Sequence, residues 1–300
     1  MNSKTTQKII LVGDNPFHGV SHLSLERAIE RQDVTDNVAY ATDVVRAALD
    51  KGADGFLFSV DNTTLSILKR LSIQGENPDL YAIVPYSYQY VRGAIRMGGI
   101  PGLAKDFVKQ VIVSANIQAF WSGVVGVINK DLGKLFQSYL AYEISRIQSS
   151  SGKNARLKSV LVHEILTDMA LALDMEWLFR SHISLMDKLG IKPGFDTRNF
   201  PYLVTKFREW GINLSGLLIA APFNSLGFQM SPSKELCESV LSEIKGADII
   251  AFSLLAAGYL DVSSAGHYAK GLPNLSGVAI GSSRPEQAGK TFSIIKEILR

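Results

Sequence analysis

The residues that could perform acid–base chemistry lie in short loops directly after apolar runs of the sequence. Asp14, Asn15 and His18 stand in the segment GDNPFHGVSH, immediately after the run KIILV. His163 and Glu164 end a similar run, KSVLVHE. A carboxylate and an imidazole at one place supply a proton acceptor and a proton donor for general acid–base catalysis. The sequence therefore predicts catalytic roles for His163, Asp14, Glu164 and His18.

Asp61 is a fifth candidate catalytic residue, because it follows the next apolar run, GFLFSV. Its alternative role is structural, since an Asp before a helix accepts hydrogen bonds from the first N–H groups of that helix. Glu164 and Asp196 also have a structural alternative, an ion pair with Arg198. Polar side chains that could bind a ligand stand at or just after the ends of the other runs as well: Asn15, Asn62, Tyr86, Asp196, Arg198, Asn199, Asn224, Ser253, Ser282, Ser283 and Arg284.

The segment 281–287, with the sequence GSSRPEQ, is typical of a phosphate-binding loop. Pro285 is a favoured first residue of a helix, so Ser282, Ser283 and Arg284 come directly before a helix start. Free backbone N–H groups, two hydroxyl groups and a guanidinium group together bind phosphate. The alternative is a serine cap beside an exposed arginine, which the sequence leaves open.

Eight short apolar runs, each followed by a helical pattern, define the predicted architecture. The runs occupy residues 8–12, 55–60, 80–84, 158–163, 192–195, 217–221, 248–253 and 278–281. Continuous apolar runs are typical of parallel strands that are buried on both faces. An open doubly wound sheet is the competing fold, but no G-x-G-x-x-G fingerprint follows the first run. We therefore predict an α/β fold, a (β/α)8 TIM barrel, with its chemistry at the C-terminal ends of the strands.

One interval between the runs is much longer than the others, and it predicts an insertion. We expect residues 1–300 to form a single TIM-barrel domain, with residues 87–154 as a helical insertion after strand 3. The most hydrophobic part, residues 107–128, contains Lys109, Asn116 and Gln118, so a buried or partner-covered helix is favoured over a membrane span. This helix could be a lid, a core helix or a homo-oligomer interface. Residues 148–154 (QSSSGKN) are predicted to form a flexible loop.

The composition excludes several classes of protein. Charged residues make up 20% and hydrophobic residues 46%, values that fit a globular domain and exclude disorder and coiled coil. The net charge of +3 without a long Lys/Arg run predicts no nucleic-acid partner. The single cysteine, Cys237, cannot form an intramolecular disulfide, and the polar start lacks a signal-peptide core. We expect a cytoplasmic protein with a small-molecule ligand and no membrane partner.

Several segments resemble the aldo-keto reductase superfamily, in the order in which that family carries them. They are VVRAALDKGADGFLFS, VLVHEILTD, GFDTRNF, APFNSLG, DIIAFSLLAAGYL and VAIGSSRPEQ. The resemblance covers most of the chain but not the 87–154 insertion. It implies a TIM barrel, a catalytic histidine at His163, an aromatic residue stacked on nicotinamide after strand 6, and a cofactor-phosphate loop at 281–287.

The catalytic tetrad of that family is incomplete here. The resemblance implies Asp, Tyr, Lys and His, and only the histidine has a counterpart, His163. Leu57 stands at the Asp position, Asn62 at the Tyr position, and Pro85 or Tyr86 at the Lys position. Because neither Leu nor Asn can donate the proton that the tyrosine supplies, the resemblance supports the fold and not the standard reduction.

Three functions stay open on the sequence alone. The leading hypothesis is an enzyme that uses acid–base chemistry on a small phosphate- or carboxylate-bearing ligand. The alternatives are an atypical NADP-dependent oxidoreductase and a non-catalytic ligand-binding or scaffold barrel. The cofactor is undetermined: NADP is implied only by the resemblance. A divalent metal is not expected, because the sequence has no H-x-H or H-E-x-x-H spacing.

Overall fold

A computed structural model describes residues 7–18, 37–85 and 132–300, and these residues form a closed eight-stranded barrel. The strands are β1 (Ile9–Gly13), β2 (Gly55–Ser59), β3 (Asp79–Val84), β4 (Arg156–Val162), β5 (Lys192–Asp196), β6 (Leu218–Pro222), β7 (Asp248–Phe252) and β8 (Gly277–Gly281). Every neighbouring pair is parallel, and β8 closes the ring by pairing with β1. The predicted (β/α)8 fold is confirmed, and all eight predicted strands are present.

Nine α-helices of the described residues connect the strands and surround the barrel. They are α1 (Val38–Asp50), α2 (Asn62–Ile73), α3 (Leu132–Ser151), α4 (Glu164–Ala172), α5 (Glu176–Leu189), α6 (Phe200–Glu209), α7 (Lys234–Glu243), α8 (Val262–Gly271) and α9 (Pro285–Leu299). Short 3-10 helices at Asn15–His18 and Ala256–Gly258 follow β1 and β7 at the mouth of the barrel.

The described part of the predicted 87–154 insertion is mostly one helix, α3. This helix packs against α2 and α5, the position of the crossover helix between β3 and β4. The predicted flexible loop at 148–154 is wrong for its first half, because α3 continues to Ser151. Ile147 is buried, and the Ser149 hydroxyl donates to the carbonyl of Ser145, so the helical period extends into the serine-rich segment. Tyr86 and residues 107–128 lie outside the described residues.

Two apolar layers explain why the strands are continuous apolar runs. One layer fills the barrel with side chains such as Leu11, Leu161 and Ile250. The other lies between the strands and the helices, and it takes the alternate residues, such as Val12 and Val162. Side chains of one strand alternate between these two layers. This alternation therefore determines which polar residue at the end of a strand points into the mouth of the barrel.

Within the described residues, no helix is long and apolar enough to cross a membrane. The hydrophobic segment 107–128 is outside that search, so its role as a lid, a core helix or an interface stays a prediction.

Candidate active site at the mouth of the barrel

A cavity of about 330 Å³ opens at the C-terminal ends of the strands. We call it the chamber. Ten of the residues predicted from the sequence line it: Asp14, Asn15, His18, His163, Glu164, Asp196, Arg198, Ser253, Ser282 and Ser283. They come from loops that are far apart in sequence, and closure of the barrel brings them to one place. The volume is at the lower end of the range for small-molecule pockets.

His18 is held between two carboxylates, Asp14 and Asp61. The 3-10 turn after β1 places His18 four residues beyond Asp14, and the His18 Nε2 atom lies 2.8 Å from Asp14 Oδ2. The other ring nitrogen, Nδ1, lies 3.3 Å from Asp61 Oδ2. The Asp14 Oδ2 atom also accepts a hydrogen bond of 2.6 Å from the backbone N–H of Ser59. These three side chains connect the loop after β1 to the start of α2.

The two carboxylates keep the imidazole of His18 protonated. Burial alone lowers the pKa of His18, but the charges of Asp14 and Asp61 and their hydrogen bonds outweigh it and raise the pKa to about 10. Burial alone would raise the pKa of Asp61, but its interactions with His18 and Thr64 outweigh burial and lower the pKa below its ordinary value. Asp61 therefore stays ionised. At neutral pH the ring of His18 is therefore a cation held between the side chains of Asp14 and Asp61, and the ionised form of Asp61 is favoured.

Asp61 also fulfils the structural alternative that the sequence allowed. Its Oδ1 atom accepts a hydrogen bond of 2.8 Å from the backbone N–H of Thr64, and the Thr64 hydroxyl lies within reach of the Asp61 backbone, which makes a capping box at the start of α2. The residue does not line the chamber itself; it acts on the chamber through His18.

His163 presents the opposite protonation state. It caps α4, and its Nδ1 atom accepts a hydrogen bond of 3.1 Å from the backbone N–H of Ile165. Burial lowers the pKa of His163, and Arg198 adds to this shift, while the charges of Glu164 and Asp14 oppose it. The neutral ring therefore carries its hydrogen on Nε2, because Nδ1 is the acceptor. His163 is thus a neutral hydrogen-bond donor at the chamber.

Arg198 binds two carboxyl side chains on the β4–β5 side, those of Glu164 and Asp168. It lies 2.7 Å from Glu164, the ion pair that the sequence allowed as a structural alternative. Asp168 accepts a hydrogen bond of 3.1 Å from the backbone N–H of Arg198, and a second one from the hydroxyl of Thr197. Asp168 was not predicted, because it lies one helical turn beyond Glu164 and not at a strand end.

The loop between β8 and α9 contributes the small polar residues that the sequence predicted. Ser282 and Ser283 line the chamber, together with Gln287 of α9. The Ser282 hydroxyl lies 3.3 Å from the carbonyl of Arg284. Arg284 itself is exposed, does not line the chamber, and does not cap α9 with its side chain. The N–H groups of the first turn of α9 therefore lie next to two serines, without the predicted guanidinium.

Three other predicted ligand-binding residues do not line the chamber. Asn62 is exposed, and its Oδ1 atom accepts a hydrogen bond of 2.9 Å from Arg146 of α3. The Asn224 side chain both donates to and accepts from the backbone of Phe228, at 2.8 Å each, so it closes the loop after β6. Asn199 stands before α6 and does not line the chamber. The sequence placed these residues after strands but could not show the direction of their side chains.

An apolar wall of the chamber was missed by the sequence reasoning. It comes from the loops after β6 and β7, and its side chains include Phe228, Phe252 and Leu255. Gln229 and Ser253 have φ angles of 62° and 52°, and the Ser253 hydroxyl donates 2.9 Å to Gln229 Oε1. Non-glycine residues with such angles cluster at functional sites, where surrounding contacts hold them. The only sequence signal was Phe252 at the end of an apolar run.

This chain is similar to known proteins in its structure and not detectably in its sequence. No family model matches the sequence, and no curated protein does. Two structures assigned to aldo-keto reductases from Pseudomonas aeruginosa match with TM-scores of 0.60 and 0.57, each at 13% identity over 99% of this chain and 94% and 93% of theirs. A glycerol dehydrogenase from Gluconobacter oxydans matches with a TM-score of 0.54 and 12% identity, over 97% of this chain and 90% of its own. The chain therefore has the barrel fold of the aldo-keto reductases.

The described residues do not fit the nicotinamide site that this resemblance implies. Phe223, at the position of the stacking aromatic, is fully buried and packs edge-on against Phe200 at 5.4 Å. Asn224 is bound to its own loop, and Asn62, at the position of the tyrosine donor, is bound to Arg146. We therefore derive no chemical step through a nicotinamide. Searched over residues 7–18, 37–85 and 132–300, no group of His, Cys, Asp and Glu is arranged to hold a metal ion.

Proposed function

We propose that this protein is an enzyme that uses acid–base chemistry on a small ligand with a phosphate or carboxylate group. The single observation that carries the proposal is the pair of histidines at the chamber with opposite pKa shifts. The pKa of His18 is raised to about 10, and that of His163 is lowered by burial. Enzymes assign acid and base roles by separating pKa values in this way.

The hydrogen bonds suggest which group takes each role. The Oδ2 atom of Asp14 accepts from His18 and from Ser59, whereas its Oδ1 atom accepts no hydrogen bond from the described residues. We assign the base to Asp14 Oδ1, because the hydrogen bonds of Oδ2 with His18 and Ser59 hold the carboxylate in position. His163 offers Nε2–H to a ligand oxygen. Glu164 pairs with Arg198 at 2.7 Å, so we assign it to holding Arg198 and not to proton transfer.

The reaction class that suits this arrangement is proton abstraction next to a carbonyl group. Asp14 takes a proton from the carbon, and the electron pair of the broken C–H bond moves to the carbonyl oxygen. His163 stabilises that oxygen by donating a hydrogen bond. The proton on Asp14 then returns to the same or a neighbouring carbon, so the chain needs no external oxidant or reductant.

The anionic group of the ligand is proposed to bind at the loop before α9. Ser282, Ser283 and the N–H groups of the first helical turn are suited to an anion, because these N–H groups have no partner inside the helix. We expect Ser283→Ala to weaken binding of inorganic phosphate or acetate by about 10- to 100-fold, since a hydrogen bond to a charged group contributes about 1.5–3 kcal/mol. Calorimetric titration measures this affinity.

The control for that titration is Ser149→Ala, near the C-terminal end of α3, where the hydroxyl donates a hydrogen bond to the carbonyl of Ser145. It should bind the anion like the wild type. Equal affinities of wild type and Ser283→Ala would remove the anion site from the proposal.

The reaction itself is tested by deuterium exchange without added cofactor. The protein is incubated in D2O with a panel of small oxo- and hydroxy-substituted phosphates and carboxylates, and mass spectrometry measures deuterium bound to carbon. We expect incorporation into at least one member with the wild type and with His267→Gln, an exposed histidine outside the chamber. No incorporation with any member, or turnover only after addition of NADPH, would contradict the proposal and favour the atypical oxidoreductase.

A further inference from the structure

Asp196 is the buried acid of the chamber that the proposed reaction does not yet use. It is the last residue of β5, and the preceding residue, Phe195, packs outward in the layer between strands and helices. Alternation along the strand therefore turns Asp196 into the barrel. Its side chain lines the chamber, although the residue is only 7% exposed. A buried carboxyl group needs hydrogen-bond partners or a proton.

Within the described residues, two carboxyl groups and one guanidinium group act on the charge of Asp196. Glu164 and Asp168 of α4 lie nearby, and Arg198 is the cation among them. Arg198 is already paired with Glu164. Burial raises the pKa of Asp196 well above its ordinary range, and the charge of Glu164 adds to this shift. Asp168 also adds to it, while Arg198 and the N–H of Glu164 oppose it. Both shifts favour the neutral form of the Asp196 carboxyl group.

One oxygen of Asp196 is left without a partner. The N–H of Glu164 is hydrogen-bonded to the carboxyl group, but the Oδ1 atom has no hydrogen-bond partner among the described residues. An unsatisfied buried polar group costs about 1–3 kcal/mol. A neutral acid in this position is a donor, so a ligand oxygen in the chamber would satisfy it.

Asp196 and His163 stand side by side at the mouth. Val162 of β4 pairs with Phe195 of β5, and each of the two residues follows its strand partner by one position. His163 offers a neutral Nε2–H, because Nδ1 accepts from Ile165. Two neutral donors on adjacent strands can bind the same oxygen.

We propose that Asp196 is a ligand-binding carboxylic acid, which donates a hydrogen bond to the same uncharged ligand oxygen as His163. This inference rests on the proposed function and names the substrate class. β4 and β5 lie across the ring of eight strands from β8, where the anion site is. The substrate therefore carries a carbonyl oxygen at one end and a phosphate or carboxylate at the other, and it spans the chamber.

The protonation of Asp196 is tested without any ligand. Infrared spectra at pH 7 are compared for wild type and Asp196→Asn, with the aspartate carboxyl carbons labelled with ¹³C. We expect the band of a protonated carboxyl group in the wild type and its loss in the variant. A difference spectrum with only carboxylate bands would overturn the inference, whatever the outcome of the exchange assay.

The substrate class is tested with matched ligands that differ in one oxygen. The pairs are 2-oxopropyl phosphate with propyl phosphate, and 4-oxopentanoate with pentanoate. We expect the wild type to bind the oxo member of one pair about 10-fold more tightly, as one satisfied buried donor allows. The pair that shows the preference tells whether the anionic end is a phosphate or a carboxylate.

Two variants separate this inference from the proposed function. Asp196→Leu has no donor and should lose the preference for the oxo member, while inorganic phosphate binds as before. Asp196→Asn keeps an N–H donor and should retain the preference. An unchanged preference in Asp196→Leu overturns the inference but leaves the proposed function intact. If the wild type binds none of these anions, the proposed function is contradicted instead.

Discussion

Asp14→Asn is expected to lower the rate of carbon-bound deuterium incorporation by about 10²–10⁴-fold, the usual contribution of a general base. The substitution removes the proton acceptor but keeps the shape of the side chain. Asn can still accept the hydrogen bond of 2.6 Å from the N–H of Ser59, so the loop after β1 keeps its anchor. The measurement is the initial rate of incorporation into the best ligand of the panel.

The same variant should change the titration of His18. Loss of one of the two flanking carboxylates is expected to lower the pKa of His18 from about 10 by about 1–3 units, because an opposite charge at this distance has that effect. Asp61→Asn is the matched control, since it removes the other carboxylate and Asn is equally suited to cap α2. It should lower the pKa of His18 but leave a measurable exchange rate. A variant Asp14→Asn with the wild-type rate would exclude Asp14 as the base.

The second large effect concerns stability at acid pH, and it comes from His182. This residue is fully buried, and its Nε2 atom lies 2.9 Å from the carbonyl of Val160. Burial lowers the pKa of His182 from 6.5 to about 4, although hydrogen bonds to the backbone oppose the shift. Below pH 6.5 the unfolded chain binds a proton that the folded chain does not bind. The free energy of unfolding should therefore fall as the pH drops from 6.5 to 4.

The expected loss is about 3 kcal/mol, at about 1.4 kcal/mol for each unit of pKa difference. Urea unfolding at several pH values measures it for wild type and for His182→Gln, which cannot be protonated. The variant should lack this part of the pH dependence, and His267→Gln should retain it. Parallel curves for wild type and His182→Gln between pH 4 and 6.5 would show that His182 is not held neutral.

His18 should produce the opposite dependence at alkaline pH. Its pKa is raised in the folded protein, so its contribution to stability is fully present below pH 6.5 and is lost as the pH rises through 10. The comparison of wild type with His18→Gln between pH 7 and 10 measures this contribution. A His18→Gln curve parallel to that of the wild type would contradict the ion pair with Asp14 and Asp61.

The strands could be predicted from the sequence because both of their faces are buried. In runs such as IILVG of β1 and LIAAP of β6, apolar side chains point alternately into the barrel and toward the surrounding helices. The prediction failed where a local signal was read without its packing. The serine-rich end of α3 looks like a loop, but the buried side chain of Ile147 keeps it helical.

The sequence predicted where the candidate site lies, but it did not predict which way each side chain points. Asp14, His163 and Ser283 face the chamber because they end strands or follow them by one or two residues. Asn62 and Asn224 occupy similar places in sequence, yet their side chains bind Arg146 and Phe228. Those choices depend on tertiary neighbours, which no local pattern encodes. Asp168 and the apolar wall were missed for the same reason, since their signal exists only after the barrel closes.

The proposed chemistry depends most on the opposite protonation states of His18 and His163, and NMR titration of their imidazole rings measures these states directly. With ¹³C- and ¹⁵N-labelled histidine, and assignments from His18→Gln and His163→Gln, the ring of His18 should stay protonated at pH 8. The ring of His163 should be neutral, with its hydrogen on Nε2, at pH 7. If both rings titrate together near pH 6.5, the chamber does not separate an acid from a base and the proposed chemistry is wrong.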